Sequence, residues 1–136
     1  MQKMDYNNLI RSAIKAKELA YVPYSGFRVG AALLAADGRI FTGCNIENAA
    51  YSPTICAERT AVAKAVSEGC RDFTAIVVTG DAGDYLTPCG VCRQVLAEFC
   101  DLKSFKVILA NSEEDYREMR LGELLPGAFG RENMGL

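Results

Sequence analysis

The chain contains no histidine. That removes the side chain most often used as a base near neutral pH, and a common metal ligand. Proton transfer near pH 7 therefore falls to a carboxylate, a thiol or a metal-bound water. An apolar leader is missing too. Met1-Gln2-Lys3-Met4-Asp5-Tyr6-Asn7-Asn8 is polar where a secretory signal needs an apolar segment, so an intracellular, cytoplasmic setting is expected. No run reaches membrane-spanning length, and Ala31 to Ala36 is only a short apolar patch, so no membrane partner is expected. Basic excess is absent as well: 15 Lys and Arg stand against 17 Asp and Glu, a formal net charge of −2. A general nucleic-acid binder shows a basic face, so a polynucleotide partner is not expected. With no repeat, low-complexity tract or linker, 136 residues read as a single domain, 1–136. That length buries a core without disulfide staples.

What the chain does have is six cysteines. An even number raises a disulfide framework. In a reducing compartment, however, clustered cysteines usually mean metal or catalysis. Three of them fall in two short stretches, Cys56-Ala57-Glu58-Arg59-Thr60 and Pro88-Cys89-Gly90-Val91-Cys92. Three thiolates, from Cys56, Cys89 and Cys92, can hold one zinc ion and leave its fourth position open, as in catalytic sites. Glu58 can then move protons for the water there. Cys89 and Cys92 stand one turn apart at an expected helix start, with Pro88 suited to its first turn. A helix N-terminus favours the thiolate that a metal requires.

Each of these residues has a plainer reading. A lone C-x-x-C is also a thioredoxin-like redox pair, but that leaves Cys56 and Glu58 unexplained. A structural four-sulfur site would recruit Cys44, Cys70 or Cys100, none of which has a close partner at the usual spacing. Those three read as small buried hydrophobes. Glu58 alone would be an ordinary acid at a helix N-terminus. Positions i and i+2 do not share a helix face, so Cys56 and Glu58 converge only if the ion lies off the helix end. Cys56 then stands at or before the first turn. Arg59 is a candidate to donate to the sulfurs and withdraw their charge; a surface salt bridge is the equal alternative.

The pattern along the chain is α/β. Residues 5 to 21 read as an amphipathic helix capped by Asp5, with Tyr6, Leu9, Ala13, Ala16 and Ala20 as its apolar stripe and Pro23 as its stop. Phe27 to Ala36 and Arg39 to Glu47 read as a hairpin around Asp37-Gly38, a turn whose two central residues favour positive φ. A loop of small polar residues leads to a helix over 56–68, with Gly69 as its left-handed cap. Ala75 to Thr79 and Phe105 to Leu109 are apolar strands flanking a helix from about Cys89 to Cys100. Strands without polar alternation are covered on both faces, and the element order favours right-handed parallel crossovers. The expected core is a hairpin followed by parallel strands between helices. Glu118 to Arg120 adds an edge strand, and Leu121 to Leu125 a helical turn stopped by Pro126-Gly127.

The zinc pattern resembles that of the nucleobase and nucleoside deaminases, in which a Cys or His and a Glu precede Pro-Cys-x-x-Cys. The similarity runs from about residue 20 to 130. It includes Phe27-Arg28-Val29-Gly30-Ala31-Ala32-Leu33, Gly43-Cys44-Asn45-Ile46-Glu47-Asn48-Ala49, Tyr51, Lys64-Ala65-Val66-Ser67-Glu68-Gly69, the continuation Arg93-Gln94 and Leu124-Leu125-Pro126-Gly127-Ala128-Phe129. Together these blocks are similar to the small, tetrameric type of cytidine deaminase. The resemblance implies a three-layer αβα fold with a mixed five-stranded sheet, one zinc per subunit on Cys56, Cys89 and Cys92, and Glu58 as the proton shuttle. It implies that Asn45 and Glu47 hold the ribose hydroxyls, that Phe27 packs on the pyrimidine, and that the Ala57 backbone reads the base's edge. Phe129 and Tyr51 would complete a neighbour's pocket in a homotetramer. The implied activity is hydrolytic deamination of cytidine and 2′-deoxycytidine in pyrimidine salvage. Three other readings remain at this stage. One is a relative acting on another aminopyrimidine nucleoside such as blasticidin S. Another is a polynucleotide-editing deaminase. The third is a non-enzymatic zinc domain, which would need a fourth protein ligand.

Overall fold

Two strands, β1 (Val29–Ala35) and β2 (Ile40–Cys44), form the expected hairpin. The structure, a computed structural model, describes residues 6–136. Its turn differs from the expected two-residue type. Gly38 N donates to the Ala35 carbonyl at 3.0 Å and Ala35 N to the Arg39 carbonyl at 2.9 Å, closing a three-residue loop. Only Gly38 has positive φ, +94°; Asp37 does not. A three-residue loop needs just one left-handed residue, its last. Strand β2 stops at Cys44, short of the expected Glu47. Ile46 instead forms isolated bridges to Tyr21 and Ile55.

Three further strands follow: β3 (Phe73–Gly80), β4 (Lys106–Ala110) and β5 (Tyr116–Arg120). The sheet order is β2-β1-β3-β4-β5. Strand β1 is antiparallel to both β2 and β3, so β2 and β3 run the same way. Strand β4 is parallel to β3, and β5 closes the edge antiparallel to β4. Helices α2 (Ala57–Ser67) and α3 (Gly90–Phe99) are the crossovers leaving β2 and β3. Their N-termini therefore emerge at one edge of the sheet, outside the carboxyl ends of the parallel strands, where open α/β sheets bind ligands.

Helix α1 (Asn7–Lys17) is shorter than expected. Tyr21 N pairs with the Asn45 carbonyl at 3.0 Å, and Glu47 N with the Tyr21 carbonyl at 2.9 Å. That bridge draws residues 18–21 out of the helix before Pro23 can stop it, and Ala20 is not buried. The expected Asp5 cap lies outside the described residues. On one face of the sheet, Leu9, Ile10 and Ala13 of α1 pack on Ala32, Val77 and Ile108. On the other, Ala61, Val62 and Leu96 of α2 and α3, with Leu121 of the short α4 (Leu121–Leu124), pack on Leu33, Ile76 and Val107. Both faces are covered, which is why these strands lack polar alternation. The expected αβα layering and five-stranded mixed sheet are what the structure shows.

Two glycines set how closely the helices approach. A Cβ at Gly30 would lie 2.2 Å from the Ala13 carbonyl oxygen of α1, and one at Gly43 would lie 2.4 Å from the Ala57 carbonyl oxygen of α2. Both obstacles are helix backbone, so the helix itself would have to move. Gly30→Ala is expected to destabilise the fold by about 2 kcal/mol, lowering the thermal midpoint by about 7 °C. An unchanged midpoint would show that α1 is not seated on β1 as described.

Candidate active site

The ends of α2 and α3 carry the chemistry. Cys56 is the N-cap of α2, with extended backbone at φ −75° and ψ 157°. Cys89 is the N-cap of α3, and its sulfur accepts from Cys92 N at 3.4 Å. Pro88 thus stands one residue before the cap, outside the first turn where it was expected. The Sγ atoms of Cys56 and Cys89 are 3.7 Å apart, those of Cys89 and Cys92 3.4 Å. All three lie within 4.8 Å of one another, and no fourth Cys, Asp or Glu among the described residues joins them. These separations are far beyond a disulfide bond of about 2.05 Å, and all six cysteines are free. They match the edge of a tetrahedron around zinc: an edge is 1.63 times the Zn–S bond, or about 3.8 Å. The four-sulfur site fails on this geometry, and a redox pair of Cys89 and Cys92 leaves the third sulfur, Cys56 at 3.7 Å, without a purpose. Cys70 and Cys100 are buried among apolar side chains as expected, while Cys44 is only half-buried.

Electrostatics point the same way. Cys56 is pulled down to about 5, first by a hydrogen bond from Cys92 and then, against its burial, by Arg59. Cys92 is pushed strongly up by its bond to Cys56 and by burial. The Cys56 thiolate is favoured, and a cation between the sulfurs would favour deprotonation further. Arg59 donates to Cys56 Sγ at 3.5 Å and to the Thr54 carbonyl at 3.5 Å. Its Nε is buried without a partner. The candidate role for Arg59, donation to a sulfur, thus has its geometry, and the surface salt bridge does not: no carboxylate pairs with Arg59 among the described ion pairs.

Glu58 sits in the first turn of α2 and is 4% exposed. Burial pushes its carboxyl up to about 7. A group with that affinity can both accept and release a proton near neutral pH. Ala57 is the first residue of α2, and the first intrahelical bond runs from Thr60 N to the Cys56 carbonyl. The Ala57 amide is therefore among those a helix start leaves for other acceptors.

The residues expected on the sugar are doubly used. Asn45 Oδ1 accepts from Val29 N at 2.9 Å, and its Nδ2 donates to the Phe27 carbonyl at 2.9 Å. Asn45 thus fixes the strand entry bearing Phe27, and an amide has a second N–H and lone pair to offer. Glu47 accepts from Tyr24 N and Ser25 N, each at 3.1 Å, and from the Ser25 hydroxyl. The Ser25 hydroxyl leads in holding its carboxyl below the usual carboxylate range, so Glu47 is an ionised acceptor. The Tyr24–Ser25 turn was missed in the sequence, because nothing local marks a bond spanning 22 residues. Glu47 and Tyr51 line a cleft of about 310 Å3 with Tyr24, Ser25, Asn48 and Thr54. Phe129 is not brought there. It is 59% exposed and lines a separate hollow beside Glu98 and Arg131. A glycine was missed too: a Cβ on Gly80 would lie 2.8 Å from Leu86 and 3.2 Å from Phe27, so that bare strand end lets both side chains close in.

Comparison with known proteins adds independent support. Residues 3–109 match the family profile described as the cytidine and deoxycytidylate deaminase zinc-binding region. The sequence is 56% identical over 131 residues to a cytidine deaminase of Sporosarcina psychrophila, covering 96% of each chain. Among solved structures, the cytidine deaminase of Burkholderia pseudomallei superimposes with a TM-score of 0.87 at 47% identity, covering 93% of this chain and all of that one. The enzyme from Mycobacterium tuberculosis gives 0.80 at 44% identity, covering 94% of this chain and 99% of the other.

Proposed function

The chain belongs to the cytidine and deoxycytidylate deaminase family, and on that footing we propose how its residues divide the zinc-dependent hydrolysis of cytidine to uridine and ammonia. The carrying observation is the three-sulfur cluster on two helix N-termini with the buried acid Glu58 in the same turn. Cys56, Cys89 and Cys92 would hold the zinc. When bound, zinc supplies water whose pKa is lowered from 15.7 to roughly 7. Glu58 accepts the proton released as the water oxygen adds to C4 of the base, and delivers it to ring N3. It then carries the proton of the new C4 hydroxyl to the amino group. Ammonia leaves and the carbonyl of uridine remains. Arg59 holds charge off the Cys56 sulfur. The Ala57 amide binds the base's edge and Phe27 packs on its face, while Asn45 and Glu47 hold the 3′-hydroxyl. Both nucleosides carry that hydroxyl, so 2′-deoxycytidine is converted as well.

The whole chain, 1–136, acts as one domain. Its sites are shared in a homotetramer, where Tyr51 and Phe129 complete a neighbour's pocket. Tyr51 at 81% and Phe129 at 59% exposure support this, being large apolar side chains held out toward an occupant. Six unbridged cysteines suit a reducing cytoplasm. No described helix is long and apolar enough to cross a membrane. The reaction recycles pyrimidine nucleosides, which places it in salvage.

Ammonia release from cytidine, 2′-deoxycytidine, cytosine, blasticidin S and a cytosine oligonucleotide, with and without a chelator, tests this reading. The first two should be turned over, the others poorly or not at all, and chelation should stop the reaction. Preference for the oligonucleotide or blasticidin S would overturn the substrate assignment.

A further inference from the structure

We propose that Arg93 is a positioning residue that ties the metal-binding turn to the arm presenting Phe129, so that one side chain aligns its own zinc site and a neighbour's pocket. Its guanidinium serves two separate stretches of chain. Nε donates to the Pro88 carbonyl at 2.7 Å and Nη2 to Thr87 Oγ1 at 3.2 Å, immediately before Cys89. Nη1 donates to the Leu124 carbonyl at 2.7 Å, the last residue of α4. Neither carbonyl has a helical partner: Pro88 precedes the cap of α3, and Leu124 closes a four-residue helix. Pro88 is buried, so its carbonyl needs a donor.

The next residue completes the clamp. Gln94 Nε2 donates to the Phe129 carbonyl at 2.8 Å. The arm from Leu124 to Phe129 is therefore pinned at both ends to one turn of α3, the turn that begins with Cys92. Between the pins lies Gly127 at φ +65°, where the arm bends. An exposed phenylalanine gains nothing from this anchoring in its own chain. Fixing its backbone at two points orders it before anything packs on it, which reduces the entropy that binding would otherwise cost. A lysine cannot replace Arg93, because one ammonium lacks the planar fork that meets acceptors on both sides. The arm half of the proposal rests on the reading that Phe129 enters a neighbouring subunit's pocket; the metal half does not.

The test uses zinc-loaded enzyme. Arg93→Lys should release zinc to a chromogenic chelator about tenfold faster, the effect of losing one charge-assisted hydrogen bond. Its KM for cytidine should rise about tenfold, with kcat changing less. Gln94→Ala touches only the arm, so it should raise KM and leave zinc release unchanged. Mixed oligomers separate the two subunits' contributions. Chains carrying Glu58→Gln with Arg93→Lys, or Glu58→Gln with Gln94→Ala, are co-assembled with unaltered chains, so that only unaltered sites turn over. The KM of those sites should exceed that in mixtures with Glu58→Gln alone. Mixtures with Glu58→Gln and Phe129→Ala should raise it as well. If the Phe129→Ala mixture shows no rise, the shared-pocket reading fails and the arm half falls with it. If that mixture responds but the Arg93→Lys and Gln94→Ala mixtures do not, the clamp alone is wrong. Unchanged zinc release from Arg93→Lys overturns the metal half. Should Arg93→Lys fail to fold, Gln94→Ala decides the arm half and Thr87→Val, expected to speed zinc release, decides the metal half.

Discussion

Replacing Glu58 by glutamine is expected to lower turnover of cytidine by about 10²–10⁴-fold, the usual contribution of a positioned acid–base group. Zinc content should stay near one per chain, because the three sulfurs are untouched. The residue is 4% exposed, and glutamine has the same shape, so packing in the first turn of α2 is kept. What is removed is the capacity to take a proton and give it back. Burial places that capacity near neutral pH, with the carboxyl pushed up to about 7. Glutamine can still donate and accept hydrogen bonds to a bound base, so KM should change less than kcat. Turnover close to that of the unaltered enzyme, with zinc in place, would mean that another group moves the proton. Among the described residues no histidine offers itself, since the chain contains none.

The second large effect is expected at Cys89. Cys92 is fully buried, so altering it would damage packing as well as ligation, whereas Cys89 is exposed. Cys89→Ala removes a ligand and the sulfur that caps α3, with little change in packing. Zinc should then dialyse away under conditions in which the unaltered chain retains it. Affinity should fall by more than the roughly 10–100-fold that loss of an outer partner costs. Deamination should drop to the level of chelated enzyme, and the unfolding midpoint should lie at or slightly below that of the metal-free unaltered protein, because the cap bond from Cys92 N goes too. Full zinc content after dialysis of Cys89→Ala would show that the ion is held by a different set of side chains.

The sequence made the chemistry easier to read than the chain's path. Spacing put Cys89 and Cys92 one turn apart, and the need for Cys56 and Glu58 to converge put Cys56 at or before the first turn of its helix, where it is the N-cap; both are local features. The strands of the core were legible for a related reason: residues such as Ala31 to Leu33 and Ile76 to Val78 are apolar on both faces. The early end of α1 was not legible. It follows from the bridge between Tyr21 and the Asn45–Glu47 segment, a pairing across more than 20 positions. The roles of Asn45 and Glu47 within their own chain were hidden in the same way, since each bonds backbone far away in sequence. Arg93 and Gln94 looked like the polar continuation of a motif. Only the fold shows that they reach Leu124 and Phe129. Phe129 is 59% exposed and lines a hollow beside Glu98 and Arg131, away from the cleft of Glu47 and Tyr51.

The central claim is a zinc ion held by three sulfurs of this chain, with its fourth position taken by a light atom from solvent or substrate. X-ray absorption at the zinc edge of the substrate-free enzyme measures that directly. The account predicts three sulfur neighbours at about 2.3 Å and one oxygen or nitrogen at about 2.0–2.1 Å. Four sulfur neighbours would contradict it, because a closed site has no position for the water that hydrolysis consumes.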